Sequence, residues 1–138
     1  MNKIFIVFVS ALIWGGCASS TNIQKHSLNG SWVMQRMTGV SLNKDELAKG
    51  LPVFSFDLTE KRFSGHAGCN QLSSGIEVTD NDITFNLFIG TKMACPDMSV
   101  EDAVLKTLSG NTLHFEFNDD ELVLTSPDGI AMHFVKEE

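Results

Sequence analysis

Residues 113–135, LHFEFNDDELVLTSPDGIAMHFV, indicate the fold class most directly. Apolar residues alternate with polar ones in its first and last segments, which is typical of strands that bury one face. Two turn clusters separate the segments, Asn118-Asp119-Asp120 and Ser126-Pro127-Asp128-Gly129. Pro127 presets its own φ, and Gly129 is able to adopt a positive φ. The stretch therefore predicts a three-stranded antiparallel meander.

Short strand-like segments also precede this meander, with turn residues between them. They cover residues 32–37, 52–58, 62–64, 76–78 and 83–87. Together with the meander they make about eight short strands at close spacing. This pattern predicts a mainly β domain, folded as a small antiparallel β-barrel that is closed or nearly closed.

One helix is expected between these strands. Val100, Ala103, Val104, Thr107 and Leu108 recur at the spacing of one helical face. Ser99 and Asp102 resemble a capping box at its start, and Gly110 is suited to end it. A helix of this length with one apolar face is expected to cap one end of the barrel.

The composition limits the classes of partner. The chain has 138 residues, with 10 Lys and Arg against 17 Asp and Glu, and a formal net charge of −7. A chain this acidic, without a basic stripe, argues against binding of nucleic acid or of anionic lipid headgroups. Residues 28–138 are expected to form one domain.

The N-terminus resembles a lipoprotein signal. Met1-Asn2-Lys3 is a basic start, residues 4–14 are nearly all apolar, and Gly15-Gly16-Cys17 follows. The apolar run is too short for a permanent membrane span. We expect residues 1–16 to be a signal peptide and Cys17 to be acylated. The alternative is an ordinary signal peptide cut near Ala18, which would discard the cysteine.

An acylated Cys17 would hold the protein on a membrane, because several acyl chains anchor stably where one does not. Residues 17–27 are polar and without periodicity, and they are expected to form a flexible tether. The tether has no acidic run, which favours the outer membrane facing the periplasm over display on the cell surface. The expected location is therefore the cell envelope.

Two further cysteines, Cys69 and Cys95, remain as an even pair in an exported chain, which favours a disulfide. Three alternatives stay open. The thiols are free, or they bind zinc together with His66, or one is a nucleophile assisted by His66. A fourth zinc ligand and an orienting partner for His66 are not evident in the sequence.

Several segments together resemble the META domain family, which includes the HslJ-type heat-inducible bacterial lipoproteins. The residues that carry the resemblance are Leu28-x-Gly30-x-Trp32, Gly68-Cys69-Asn70 and Thr91-x-Met93-Ala94-Cys95, followed by a helix with Glu101 and Leu108. The resemblance implies a β-barrel of lipocalin-like topology and an association with envelope stress and drug tolerance. It implies no established reaction, and hence no catalytic, cofactor or metal residues.

Three functions follow from these observations. The first is a non-enzymatic envelope protein that binds an unidentified protein partner, as a folding aid or as an inhibitor of an envelope or host enzyme. The second is a carrier of a small apolar ligand held inside the barrel. An enzyme ranks last, because no set of nucleophile, base and orienting residue is visible. The side chains expected to line the interior are Phe54, Phe56, Phe85, Phe115 and Phe134.

Two polar features of the motif have simpler interpretations. Asn70 is expected to bond to nearby backbone in a turn. Glu101 and Asp102 are expected to be solvated at the start of the helix, where acidic side chains suit the helix dipole.

Overall fold

A computed structural model of the chain describes residues 28–138, which form nine strands and one helix. The signal peptide expected at 1–16, the acylation expected at Cys17 and the tether expected at 17–27 lie outside the described residues. The strands are β1 (Gly30–Met37), β2 (Val53–Asp57), β3 (Arg62–His66), β4 (Gln71–Thr79), β5 (Asp82–Phe85), β6 (Ile89–Gly90), β7 (Thr112–Asn118), β8 (Glu121–Thr125) and β9 (Ala131–Lys136), and the helix is α1 (Ser99–Leu108).

Eight of the strands close into an antiparallel barrel, as the strand pattern predicts. Neighbouring strands pair in the order β3-β2-β1-β9-β8-β7-β5-β4, and pairing of β3 with β4 closes the ring. The two-residue strand β6 pairs with the first part of β4. Closure removes the exposed edges that an open sheet of this length would leave.

The meander of residues 113–135 is confirmed as β7, β8 and β9. Phe115 lies opposite Leu124, and Leu124 lies opposite Met132, so the apolar positions of all three strands face one side. Asp119 and Gly129, in the two turns, have φ values of 55° and 87°. Gly129 therefore adopts the positive φ that the sequence suggests for it, and Asp119 adopts one as well.

Packed aromatic rings fill the barrel interior. The ring of Phe54 lies 5.0 Å from those of Phe63 and Phe134, centroid to centroid, and Phe63 lies 5.5 Å from Phe85. The five phenylalanines expected inside the barrel are all buried, as is Phe63. They pack against each other at distances typical of a protein core.

The two ends of the barrel are covered differently. At one end the buried Trp32 donates a hydrogen bond from Nε1 to the carbonyl oxygen of Leu28 at 2.9 Å, and Leu28 is itself fully buried. At the other end, here called the helix end, α1 crosses the mouth. Val100, Val104 and Leu108 of α1 are buried in the core, which confirms the expected apolar face.

The expected capping box is wrong. Met98 occupies the N-cap position, and no side chain caps the helix there. Ser99 is already the first helical residue, and its backbone N–H donates to Asp97 at 2.8 Å. The expected stop at Gly110 agrees with the structure, because Gly110 follows the last turn with a φ of 74°. No helix within residues 28–138 is long and apolar enough to cross a membrane.

Candidate functional site: a clamped loop with exposed apolar side chains

A disulfide joins the two motif segments at the helix end of the barrel. Cys69 precedes β4, Cys95 lies in the segment between β6 and α1, and their Cα atoms are 6.1 Å apart. The bond consumes both thiols, so free thiols, a thiolate zinc ligand and a cysteine nucleophile are excluded here. Within residues 28–138, no three His, Cys, Asp or Glu side chains are placed to hold a metal ion.

Asn70 holds the same two segments together by hydrogen bonds. Its Oδ1 accepts from the backbone N–H of Met93 at 2.6 Å and from the Thr91 hydroxyl at 3.0 Å. Its Nδ2 donates to the carbonyl oxygen of Met93 at 3.3 Å. The expectation that Asn70 bonds to nearby backbone in a turn is wrong, because its partners are more than twenty residues away.

Glu101 completes this network from the first turn of α1. Its Oε2 accepts from the Asn70 backbone N–H and its Oε1 from Asn70 Nδ2, both at 2.7 Å. Glu101 is only 4% exposed, so the expectation that it is solvated is wrong. The positive end of the helix dipole and two donors compensate the buried carboxylate. We call Asn70, Glu101 and their partners Thr91 and Met93 the Asn70–Glu101 network.

The backbone before Cys69 is tightly constrained. Gly68 has a φ of 99°, and a Cβ added there would lie 2.9 Å from Leu47 Cδ2. The Gly68 N–H donates to His66 Nδ1 at 3.2 Å. Partial burial, and then the nearby Lys49 charge, lower the pKa of His66 from its ordinary value of 6.5. His66 therefore acts as a neutral hydrogen-bond acceptor in this turn.

Two motif residues lie outside this site. Trp32 and Gly30 are at the opposite end of the barrel, where Lys136 Nζ sits 4.5 Å above the Trp32 ring. Gly30 has a φ of 109°, and a Cβ there would lie 2.7 Å from Lys136 Nζ. Both residues therefore pack against Lys136 at the end of the barrel away from α1. Ala94, by contrast, lies in the clamped segment and is exposed.

Residues 87–95, which run from just after β5 through β6 to Cys95 and include the clamped segment 91–95, expose large apolar side chains. Leu87 is 77% exposed, Ile89 72% and Met93 47%. We call these three side chains the apolar ridge. Within residues 28–138 the remaining large exposed hydrophobic side chain is Val135, on β9. Phe88, between the first two, stacks on the buried Phe63 ring at 5.1 Å, which holds the backbone of the ridge against the core.

A groove of about 400 Å³ runs beside the ridge, between α1 and residues 88–94. We call it the apolar groove. Its lining residues are mostly apolar, and Lys92 is the one exposed charged residue among them. They are Asn70, Leu72, Phe88, Ile89, Gly90, Thr91, Lys92, Met93, Ala94, Met98, Glu101 and Leu105.

A second cleft, of about 520 Å³, lies on the other flank of α1. Ala103 and Lys106 of the helix face Met37 and Ile130 across it. This cleft opens at the mouth of the barrel, whereas the ligand-carrier hypothesis placed its ligand among the phenylalanines of the interior. We call it the mouth cleft.

Sequence reasoning missed the apolar ridge and the role of Glu101. Leu87 was expected to end a strand, and Ile89 was not singled out. A signal was present in residues 86–89, because Leu87 and Ile89 alternate with Phe88 and so face the opposite side from it. Nothing in the sequence told which of the two faces is buried.

Three solved structures resemble this fold. A protein from Burkholderia xenovorans, solved by NMR, is 19% identical with a TM-score of 0.66, covering 97% of this chain and 99% of that one. A second NMR structure is 16% identical with a TM-score of 0.63, covering 80% and 93%. The crystal structure of a DUF4847 family protein from Bacteroides vulgatus is 10% identical with a TM-score of 0.56, covering 83% and 97%. At these identities they support the fold alone.

No curated protein matches this sequence. Residues 22–138 match the META domain family, which agrees with the motif residues at 28–32, 68–70 and 91–95. The match spans the whole barrel, the helix and the clamped loop. This chain therefore belongs to the META domain family.

Proposed function

We propose that this protein is a non-enzymatic, lipid-anchored protein of the cell envelope that binds another protein through the apolar ridge. Such binding would serve the envelope stress response or drug tolerance that resemblance to HslJ-type lipoproteins implies. The observation that carries the proposal is a loop that exposes apolar side chains and is restrained by a disulfide and by the hydrogen bonds of Asn70.

Exposed apolar side chains carry a cost in water, so a cluster of them marks an interaction surface more often than a scattered residue does. The disulfide and the Asn70–Glu101 network fix the backbone of Met93 in advance of any partner. A surface fixed in advance loses less conformational entropy on binding. A loop that is both apolar and restrained is therefore better explained as a binding site for a macromolecule than as a solvent-exposed loop without a role.

Support for the envelope location comes from the sequence. The basic start, the apolar run and Cys17 resemble a lipoprotein signal, and the Cys69–Cys95 disulfide is the kind of bond that persists in oxidising compartments. Both observations agree with export and neither identifies the partner.

A site-specific photocross-linker tests the binding surface. A photoreactive amino acid is placed at Leu87, on the ridge, or at Val135, which is 39% exposed on β9. After irradiation of intact cells, we expect an adduct of discrete mass from position 87 and none from position 135. Equal labelling from both positions, or no adduct from position 87, would contradict the proposal.

The mouth cleft favours a second candidate, carriage of a small apolar ligand. Met37, Val40 and Ile130 give it an apolar lining, and its volume is within the range of small-molecule sites. Native mass spectrometry of protein extracted from envelopes would show a bound small molecule. Ala103→Phe fills the cleft and should remove that added mass, while Ile89→Ser should not.

A further inference from the structure

We infer that the partner inserts a short apolar segment into the apolar groove and carries an acidic residue beside its apolar anchor. The inference rests on the proposed protein binding and specifies the chemistry of the partner. Three observations carry it: the lining of the groove, the position of Lys92 and the charge of the rest of the chain.

The lining suits apolar side chains of varied shape. Leu72 forms a buried wall, while Met93 and Met98 contribute thioether side chains. Methionine side chains adapt to irregular partners, and they are frequent on surfaces that accept more than one apolar sequence. Ile89 projects at the rim, where it is placed to pack against the flank of an inserted segment.

The rim of the apolar groove carries one exposed charged side chain. Lys92 is exposed at the groove, and within residues 28–138 it forms no ion pair. The other charged lining residue, Glu101, is buried and its two oxygens already accept hydrogen bonds from Asn70. A partner at the groove therefore meets one available charge, and that charge is positive.

The overall charge gives this cation a directing role. With a net charge of −7, the chain as a whole repels an acidic partner at long range, so local attraction depends on exposed cations such as Lys92. An acidic residue beside an apolar anchor is complementary to Lys92, the exposed charge among the lining residues of the groove. Complementarity of this kind selects the site and the orientation of a partner more than it adds affinity. The groove thus combines an apolar contact for affinity with one charge for placement.

Two labelled peptides test the inference by fluorescence anisotropy against the purified full chain with its disulfide intact. Both carry the apolar centre Leu-Phe-Leu, and the flanking residues are aspartates in one and lysines in the other. We expect the aspartate peptide to bind about fivefold tighter or more. Lys92→Glu should remove or reverse that preference. Lys106→Glu makes the same charge change on the other flank of α1 and should leave the preference intact.

The remaining outcomes separate the inference from the proposed function. Equal binding of both peptides, lost in Ile89→Ser but kept in Val135→Ser, would overturn the acidic partner and leave protein binding standing. Peptide binding that Ile89→Ser does not change would overturn both. Binding of phosphatidylglycerol vesicles that depends on Lys92, with no peptide binding, would identify a membrane surface instead and overturn the inference.

Discussion

At the scale of single residues, the most consequential contacts are those between Asn70 and Glu101. Asn70 uses its backbone N–H and both side-chain polar atoms, and Glu101 uses both carboxylate oxygens. An amide at position 70 is required because the side chain must accept on one side and donate on the other. A carboxylate of the same shape has no donor to offer Glu101.

We therefore expect Asn70→Asp to lower the free energy of unfolding by about 3 kcal/mol at neutral pH, because it places two buried carboxylates in contact. Acidification should restore part of the loss, since a shared proton replaces the missing donor. Chemical denaturation at pH 7 and pH 4.5 measures both effects. Asn43→Asp is the matched control. Asn43 is exposed, and its Oδ1 accepts a hydrogen bond from the Asp45 N–H, a bond that an aspartate oxygen is also able to accept. Similar losses in the two variants would contradict the assignment.

His66 gives a prediction about pH. Its pKa is lowered in the folded state by partial burial and by Lys49, so the unfolded chain binds the proton more readily. Its contribution to stability is therefore present above pH 6.5 and is lost as the pH falls below that value through the folded pKa. His66→Asn keeps an acceptor for the Gly68 N–H but does not titrate. Unfolding free energies from pH 7.5 to 5 should fall less steeply in this variant, and identical slopes would refute the role.

At the scale of elements, α1 closes one end of the barrel through one face. Leu108 is fully buried, while Thr107, next to it, is half-buried and donates its hydroxyl to the Ala103 carbonyl oxygen at 2.8 Å. We expect Leu108→Ala to lower the unfolding free energy by about 2–5 kcal/mol, because the lost transfer free energy of the side chain and the cost of the cavity left behind add together. Thr107→Ala should cost under about 1 kcal/mol. Denaturant melts compare the two. Equal small losses would show that α1 is loosely attached.

The elements differ in how far sequence predicts them. The alternation in β7 and β9, the turn residues Asp119 and Gly129 and the apolar spacing of α1 are local signals, and each predicts its element. The burial of Glu101 is not local, because it depends on a loop closing over the helix start from thirty residues earlier in the chain. An acidic residue in a first helical turn has the same sequence pattern whether it is solvated or buried.

The candidate site also contains some residues that the sequence predicts and others that it does not. Cys69 and Cys95 are recognisable from sequence, since their number and the export expected from the N-terminal residues suggest a pair. The exposure of Ile89 is not recognisable, because an apolar residue in a β-rich segment is ordinarily expected to face the core. The pairing of Ile89 with Ser73 on the outer side of β4 is what turns it to solvent.

At the scale of the whole molecule, residues 28–138 form a closed barrel around a buried core. The described domain begins with the buried Leu28, and the barrel closes through β1, which follows it. We expect Cys17→Ser to release the protein from the membrane and leave its thermal melt unchanged. Envelope fractionation and a melting curve measure the two effects. Loss of folding in the released form would show that residues before Leu28 contribute to stability.

The two poles of the barrel differ, and this difference decides where a support or a reporter is best attached to the protein. Trp32 in β1 lies opposite Lys136 in β9, so the two ends of the described chain leave from the same pole, away from α1. The apolar ridge lies towards the opposite pole, beside the start of β4. A bead, a sensor surface or a fused reporter joined directly before Leu28 or after Glu138 therefore holds the described barrel by one pole and leaves the other free to meet its partner.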